Sequence, residues 1–483
     1  DSTAGTGGDG IYSSQYLGIS GGTIGTAKGG AGIGGGNGIH SDDHLYIFGT
    51  AEGTAKIETA QGGSGQTAGG AGIYSKGDLS IEDGTIGSMG TDGKTPDTTT
   101  GALGGTATAG AKGGDGIHSD GEINITGGKI VNAKGGDGTG GGKGIYSNGT
   151  LTIEGGEIQK ATGGNANNGN GGSGIYSKGK LFISDSAKIN NATGGSGSNG
   201  GSGIFGWTTM EIAGTIKEAF GGNATGGDST DGTGNGGDGI HSDGEFAISK
   251  SPSGDANPNT IGTAKGGNGK SGGSGIFGKT MKIAVGIINQ AIGGNSTGTD
   301  ENDTGGSGIS ASESLTISGN GWIQSATGGS AKDGKAGDGI RSGKSFIISG
   351  CRIKQATGGN AEGGAGGSGI RSDSTLDISD QASIQKATGG ESQSTGGSGI
   401  YNHGKLTIFG GTIGTAQGGE GKSSGSGNGG HGIYSKTMEI LGGIIQKAIG
   451  GNANGNTCTG GSGIHSDGTL TICLLYTSPS PRD

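Results

Sequence analysis

The pair Gly-Ile opens fifteen copies of one short unit, headed by Gly10, Gly38, Gly72, Gly116, Gly144, Gly174, Gly203, Gly239, Gly275, Gly308, Gly339, Gly369, Gly399, Gly432 and Gly463. Self-similarity at such a period constrains architecture more tightly than any other signal, because units this short must stack to bury anything. The intervals run from 28 to 44 residues. The Ile after the opening Gly and a second Ile, usually eight residues on, occur in all fifteen copies. A third, as at Ile24, Ile158 and Ile445, occurs in the fourteen copies long enough to hold it. The residue two before the second Ile is always apolar. Three residues after the third Ile stands Ala in thirteen of fourteen copies, with Met89 in the remaining one.

Each copy therefore reads Gly-Ile-x-Ser, Leu-x-Ile and x-Ile, with Gly or Gly-Gly between the segments. Alternation with β-branched residues predicts short strands, and the Gly clusters are expected to supply left-handed corners. A helix would need apolar spacings of three and four sustained over at least about ten residues, which no copy shows. One coil buries about four apolar side chains at roughly 1.5–3 kcal/mol each. Ordering its backbone costs about 1–2 kcal/mol per residue, so a lone coil cannot fold. Stability must come from neighbouring coils. The expected fold is all-β: a right-handed parallel β-helix (β-solenoid) of about fifteen coils with three short strands each, in a single array over residues 1–472. The Gly/Asn/Ser/Thr segments before each new Gly-Ile are expected to be loops on one side of the rod, the longest from Gly90 to Lys112.

Composition alone points elsewhere. Gly makes up 131 of 483 residues and only 27% are hydrophobic, values that suit collagen or a disordered chain. Collagen needs abundant Pro and a strict three-residue period, and the chain has 5 Pro. Disorder fails because the apolar residues are patterned. The net charge is −10 and Lys and Arg are scattered singly, which leaves no basic stripe for nucleic acid. No apolar run approaches the roughly 20 residues that span a bilayer. Cys351 and Cys458 fall three copies apart. At about 4.8 Å per coil that is roughly 14 Å, too far for a disulfide. Residues 473–483 (Cys-Leu-Leu-Tyr-Thr-Ser-Pro-Ser-Pro-Arg-Asp) hold two of the five Pro and no Gly. The string resembles an in-frame translation of a transposase adaptor used in preparing sequencing libraries. It is expected to be a non-native tail, with the array a fragment at both ends.

The residue after the first Ile should point outward. That column contains Tyr146, Tyr176, Arg341, Arg371, Tyr401, Tyr434 and His465, and twelve of its fifteen members are Tyr, Phe or His. Two roles suit such a column. Planar side chains about 4.8 Å apart stack and stabilise coil on coil. They also suit a platform for polysaccharide, with rings packing on sugar faces and Arg forks binding carboxylates. The next residue is Ser in eleven of fifteen copies, which predicts an inward hydroxyl ladder near a corner.

The units Asp115-Gly-Ile-His-Ser-Asp-Gly121 and Asp238-Gly-Ile-His-Ser-Asp-Gly244, with Leu-x-Ile-x-Gly-Gly-x-Ile downstream, resemble the repeats of clostridial parallel β-helix carbohydrate-binding proteins. The resemblance implies a pectate-lyase-like fold, an extracellular or cell-surface location, and binding of plant polysaccharide and calcium without established catalysis. The chain departs from that pattern in its long Ala-Thr-Gly-Gly segments and in lacking the first Asp in most copies. Calcium takes six to eight oxygen ligands. Only Asp115 with Asp120, and Asp238 with Asp243, place acids on both sides of one Gly-Ile, so these four are the metal candidates. Corner residues of an Asx turn are the plainer account of them.

An enzyme of the lyase or hydrolase type would need acids in matching columns of adjacent coils. The column of Arg341 and Arg371 holds none. The expectation is therefore a secreted or cell-surface, non-catalytic protein that binds polysaccharide or a cell-surface glycan along the outward column. The alternatives are a passive adhesin or stalk, and a polysaccharide lyase or hydrolase.

Overall fold

A computed structural model describes residues 5–51, 53–108, 110–225, 234–249, 260–422, 427–454 and 457–473. Of the expected tail 473–483, residues 474–483 lie outside the described residues. Its first residue, Cys473, is exposed and donates its N–H to Ile440 O at 2.9 Å.

The chain is a parallel β-solenoid. The Gly-Ile-x-Ser and Leu-x-Ile segments of all copies lie in one sheet of twenty-five strands, and the x-Ile-x-x-Ala segments form a second sheet. Register is in step within each segment, with shifts between the first and second segments of three long strand pairings and in the short pairing of Gly32–Gly34 with Gly65–Ala68. Ile145 pairs with Ile175, Leu151 with Leu181, Ile158 with Ile189, and Ala161 with Ala192. These eight side chains are fully buried, so over these coils each column is a stack of like residues, while further along the Leu column changes among Leu, Met and Phe, as where Met210 pairs with Phe246. In five coils the first two strands run on without a break, as in Ile240–Ile248 and Ile400–Ile408.

The Ser column forms the expected inward ladder. Ser119, Ser147 and Ser372 are fully buried. Each lies within hydrogen-bonding reach of a carbonyl of the preceding coil and one three residues ahead, as Ser372 Oγ does with Lys344 O and Thr375 O. The hydroxyls thus satisfy corner carbonyls that the strand ladder leaves open. Where Gly206 and Gly278 replace Ser, the bulkier Met210 and Met281 take the space: a Cβ on Gly278 would lie 2.8 Å from Met281 Cγ.

Two expectations change. Glycines do adopt positive φ between the second and third strands, as at Gly128 (73°) and Gly156 (76°). The Gly-Gly pairs flanking the variable segments do not, and their glycines serve close approach instead. Gly172 N–H donates to Gly164 O, Gly164 to Gly142, Gly142 to Gly136 and Gly136 to Gly114, at 2.7–2.9 Å. The same alternation of glycine to glycine runs unbroken from Gly461 to Gly8. A Cβ at Gly172 would lie 1.8 Å from Gly142 O. The segments expected to be plain loops therefore begin and end in a glycine wall that binds each coil to the next.

The second change concerns the longest excursion. It is two, not one. Ala102, not Met89, takes the Ala position, in register with Ala60 and Ala133. Residues 87–100 are an insertion inside the third strand, which stops at Ile86 and resumes at Gly101. Met89 is half-buried and bridges Pro96 within that insertion.

Candidate functional site

Alternation in the first strand turns Tyr146, Tyr176 and their equivalents out of the core while Ile145 and Ser147 point in. Parallel in-register pairing then brings the rings face to face. Tyr146 and Tyr176 have centroids 5.3 Å apart, Tyr176 and Phe205 4.9 Å, and Phe205 and His241 4.8 Å. Interplanar angles in these pairs are 17°, 3° and 10°. Contacts continue without a gap from Tyr12 to Phe277. Ser310, Arg341 and Arg371 interrupt the ladder, and it resumes as Tyr401, Tyr434 and His465. Tyr401 and Tyr434 stack at 4.8 Å, and Tyr434 and His465 at 5.7 Å. From Tyr146 to Phe277 the inner rings Tyr176, Phe205 and His241 spend both faces on their neighbours, as Tyr434 does between Tyr401 and His465, and there the faces that a sugar would need are covered. Nearer the start the contacts are edge-on, at 76° for Tyr12 with His40 and 81° for His40 with Tyr74.

The arginines are also engaged. Asp373 accepts from Arg341 Nη2 at 2.8 Å and from Arg371 Nε at 2.6 Å. The Arg371 guanidinium lies 4.8 Å from the centre of the Tyr401 ring, a cation–π contact that bridges the interrupted ladder. Asp373 is held below the usual carboxylate range. Burial pushes its pKa up, but the two guanidinium groups more than reverse this. The acid absent from the arginine column thus arrives from two residues further along the strand. That offset faces the same side as Arg371, and it was the available signal for this partner.

The same offset explains the candidate metal ligands. His118 lies between them: its Nδ1 is 2.7 Å from Asp115 and its Nε2 3.0 Å from Asp120. His241 bridges Asp238 at 2.5 Å and Asp243 at 3.0 Å in the same way. Each pair is thus held through an imidazole. Asp115 also accepts the Lys143 N–H of the next coil at 2.6 Å. Among the described residues no group of three or more His, Cys, Asp or Glu side chains is placed to hold a metal ion. Asp120 has a further partner that the sequence did not suggest, the Tyr74 hydroxyl of the preceding coil at 2.5 Å.

Burial pushes the His118 imidazole towards neutrality, but Asp115 and Asp120 outweigh it and raise its pKa; His241 behaves alike with Asp238 and Asp243. Burial likewise pushes Asp115 up, and His118, Lys112 and Lys143 reverse it to well below the usual range. A raised histidine contributes stability that is full below about pH 6.5 and lost as pH rises through its folded value. A depressed carboxylate contributes stability that is full above about pH 4 and lost as pH falls. The Asp–His–Asp bridges therefore stabilise most between these limits. The melting temperature of the wild-type chain is expected to fall between pH 6 and pH 9. In His118→Gln/His241→Gln this fall should be smaller. Equal pH profiles in thermal circular-dichroism scans would show that the bridges do not stabilise the fold.

Cross-coil lysines complete the column. Lys143 Nζ lies 5.7 Å from the centre of the Tyr146 ring and 5.4 Å from that of Tyr176. Burial and the neighbouring Lys112 lower its pKa to about 8. No helix of the described residues is long and apolar enough to cross a membrane. Comparison with protein-family models, with characterised proteins and with solved structures returned no match.

Proposed function

We propose that this chain is a rigid, non-catalytic rod of the stalk or adhesin type, acting outside the cell or on its surface, with the outward column as its spine. The observation that carries this reading is the internal satisfaction of the column. Ring faces meet ring faces, Asp373 takes both arginine forks, and Tyr434 gives its hydroxyl to Asp467. Groups spent in this way tie coil to coil and resist bending or fraying of the rod. The clostridial-type repeats Asp115–Gly121 and Asp238–Gly244 suggest the extracellular setting.

A second reading keeps polysaccharide binding at Arg341, Arg371, Tyr401, Tyr434 and His465. It is favoured by the half-exposure of the Arg341 side chain (46%) and the open edges of the two phenol rings. Replacing both Tyr401 and Tyr434 with Ser separates the two. As a spine, the double variant loses about 2 kcal/mol of stacking. It should melt earlier while its retention in polysaccharide affinity gels stays unchanged. Lost retention at little thermal cost would instead establish the column as a binding platform.

A further inference from the structure

The insertion at residues 87–100 builds a groove that is separate from the ladder and independent of the role proposed for it. Its fold is set by its own hydrogen bonds. Gly90 N–H reaches Thr95 O at 2.7 Å, Asp92 accepts the N–H groups of Lys94 and Thr95 at 2.9 Å, and Asp97 N–H reaches Ser88 O at 2.9 Å. Asn132, 1% exposed, pins it to the second sheet by donating Nδ2 to Thr100 O at 2.8 Å. The insertion is thus a fixed wall over the outward face of the following third strands.

Two cavities of about 460 and 380 Å³ lie beneath it. Thr98 and Lys134 line the first, and Pro96, Gln159 and Asn191 the second. Lys160, Thr162 and Thr193 line both, so the two form one groove across neighbouring coils. Each is within the roughly 300–1,000 Å³ of small-molecule sites. Gly163, Gly194 and Gly195 belong to the glycine wall and leave that part of the first cavity without side chains.

The chemistry of the lining selects a class of ligand. It carries hydroxyls, amides and two ammonium groups, and neither cavity is lined by an aromatic ring or a carboxylate. On the same sheet Lys129 is neutralised by Glu157 at 3.3 Å, and Asn191 holds Glu218 at 3.0 Å. Lys134 and Lys160 make no ion pair among the described residues, in a chain of net charge −10. The buried Thr162 hydroxyl has no hydrogen-bond partner. Two unneutralised cations beside a bed of hydroxyls and amides call for an anion that is itself rich in hydroxyls. A nucleobase would find no aromatic ring to stack on.

We propose that this groove binds an acidic saccharide, with the sugar carboxylate held by Lys134 and Lys160 and its hydroxyls by Gln159, Asn191 and Thr193. The test is titration calorimetry on the full chain with three probes: a uronic-acid tetrasaccharide from alginate, neutral cellotetraose, and inorganic phosphate. The uronic-acid probe should bind at least tenfold more tightly than the other two. Lys134→Gln/Lys160→Gln should weaken it at least tenfold with an unchanged melting temperature, while Tyr401→Ser/Tyr434→Ser leaves it intact. No binding of the uronic-acid probe at millimolar concentration would overturn the proposal. So would equal binding of cellotetraose or of phosphate, or equal affinity in the lysine variant.

Discussion

Gly172→Ala is expected to lower stability by more than about 3 kcal/mol, beyond what an added methyl group usually costs in a well-packed region. The new Cβ would stand 1.8 Å from Gly142 O and 2.6 Å from its carbonyl carbon. Both are backbone atoms, so no rotamer change relieves the contact. Relief requires separating the two coils, and that stretches the hydrogen bond from Gly164 to Gly142 that joins them. Gly140→Ala is the matched control. Its Cβ would meet only Lys112 Cγ at 3.7 Å and Asn170 O at 4.0 Å. That change should be neutral, or stabilise by about 0.4–1 kcal/mol by restricting the unfolded chain. Repeat arrays can open in parts, so the measurement should include hydrogen exchange around the altered coil as well as global melting. Equal behaviour of the two variants would show that the glycine wall is not held by close contact.

The second large effect is expected at Ile183→Asp. Ile183 is fully buried in the column between Ile153 and Ile212. Aspartate there would place a carboxylate among isoleucines with no cation or donor in reach. The cost is on the order of 3–5 kcal/mol, whether the group stays charged or takes up a proton. Asn168→Asp, at an exposed position of the neighbouring variable segment, should change the melting temperature by less than a degree or so, as most surface changes do. Similar melting of the two would mean that the register of the core columns is not the one described.

The columns that Ile183 represents are readable in the sequence. Each inward position must be apolar in every coil, so the requirement recurs in the sequence at the repeat period. The ring column was readable for the same reason, and its first offset, Ile to Tyr, follows from alternation alone. Alternation also points to the acid two residues further on, which no single column shows. Asp120, Asp243, Asp373 and Asp467 share a face with the ring or guanidinium before them and take hydrogen bonds from it. The acids Asp115 and Asp120, and Asp238 and Asp243, flank one Gly-Ile each, and the histidine that the sequence places between them is their partner.

Other features could not be read from the chain by itself. A glycine can answer a positive φ or a neighbour too close for a Cβ, and the letter is the same in both cases. Gly156 is the first kind and Gly172 the second. Only the adjacent coil, which supplies Gly142 O, distinguishes them. Met89 stands at the correct distance from Ile86 to be a core residue, and the insertion that displaces it shows only when Ala102 returns to register. The overhang of residues 87–100 above Lys134, Lys160 and Thr193 likewise depends on where three separate coils come to lie. Sequence determined which residues face inward, because that choice is made within a strand by alternation and repeated in every copy. Tertiary structure alone decided what each outward or glycine position touches, because those contacts run between coils some 30 residues apart and depend on the distance between two backbones.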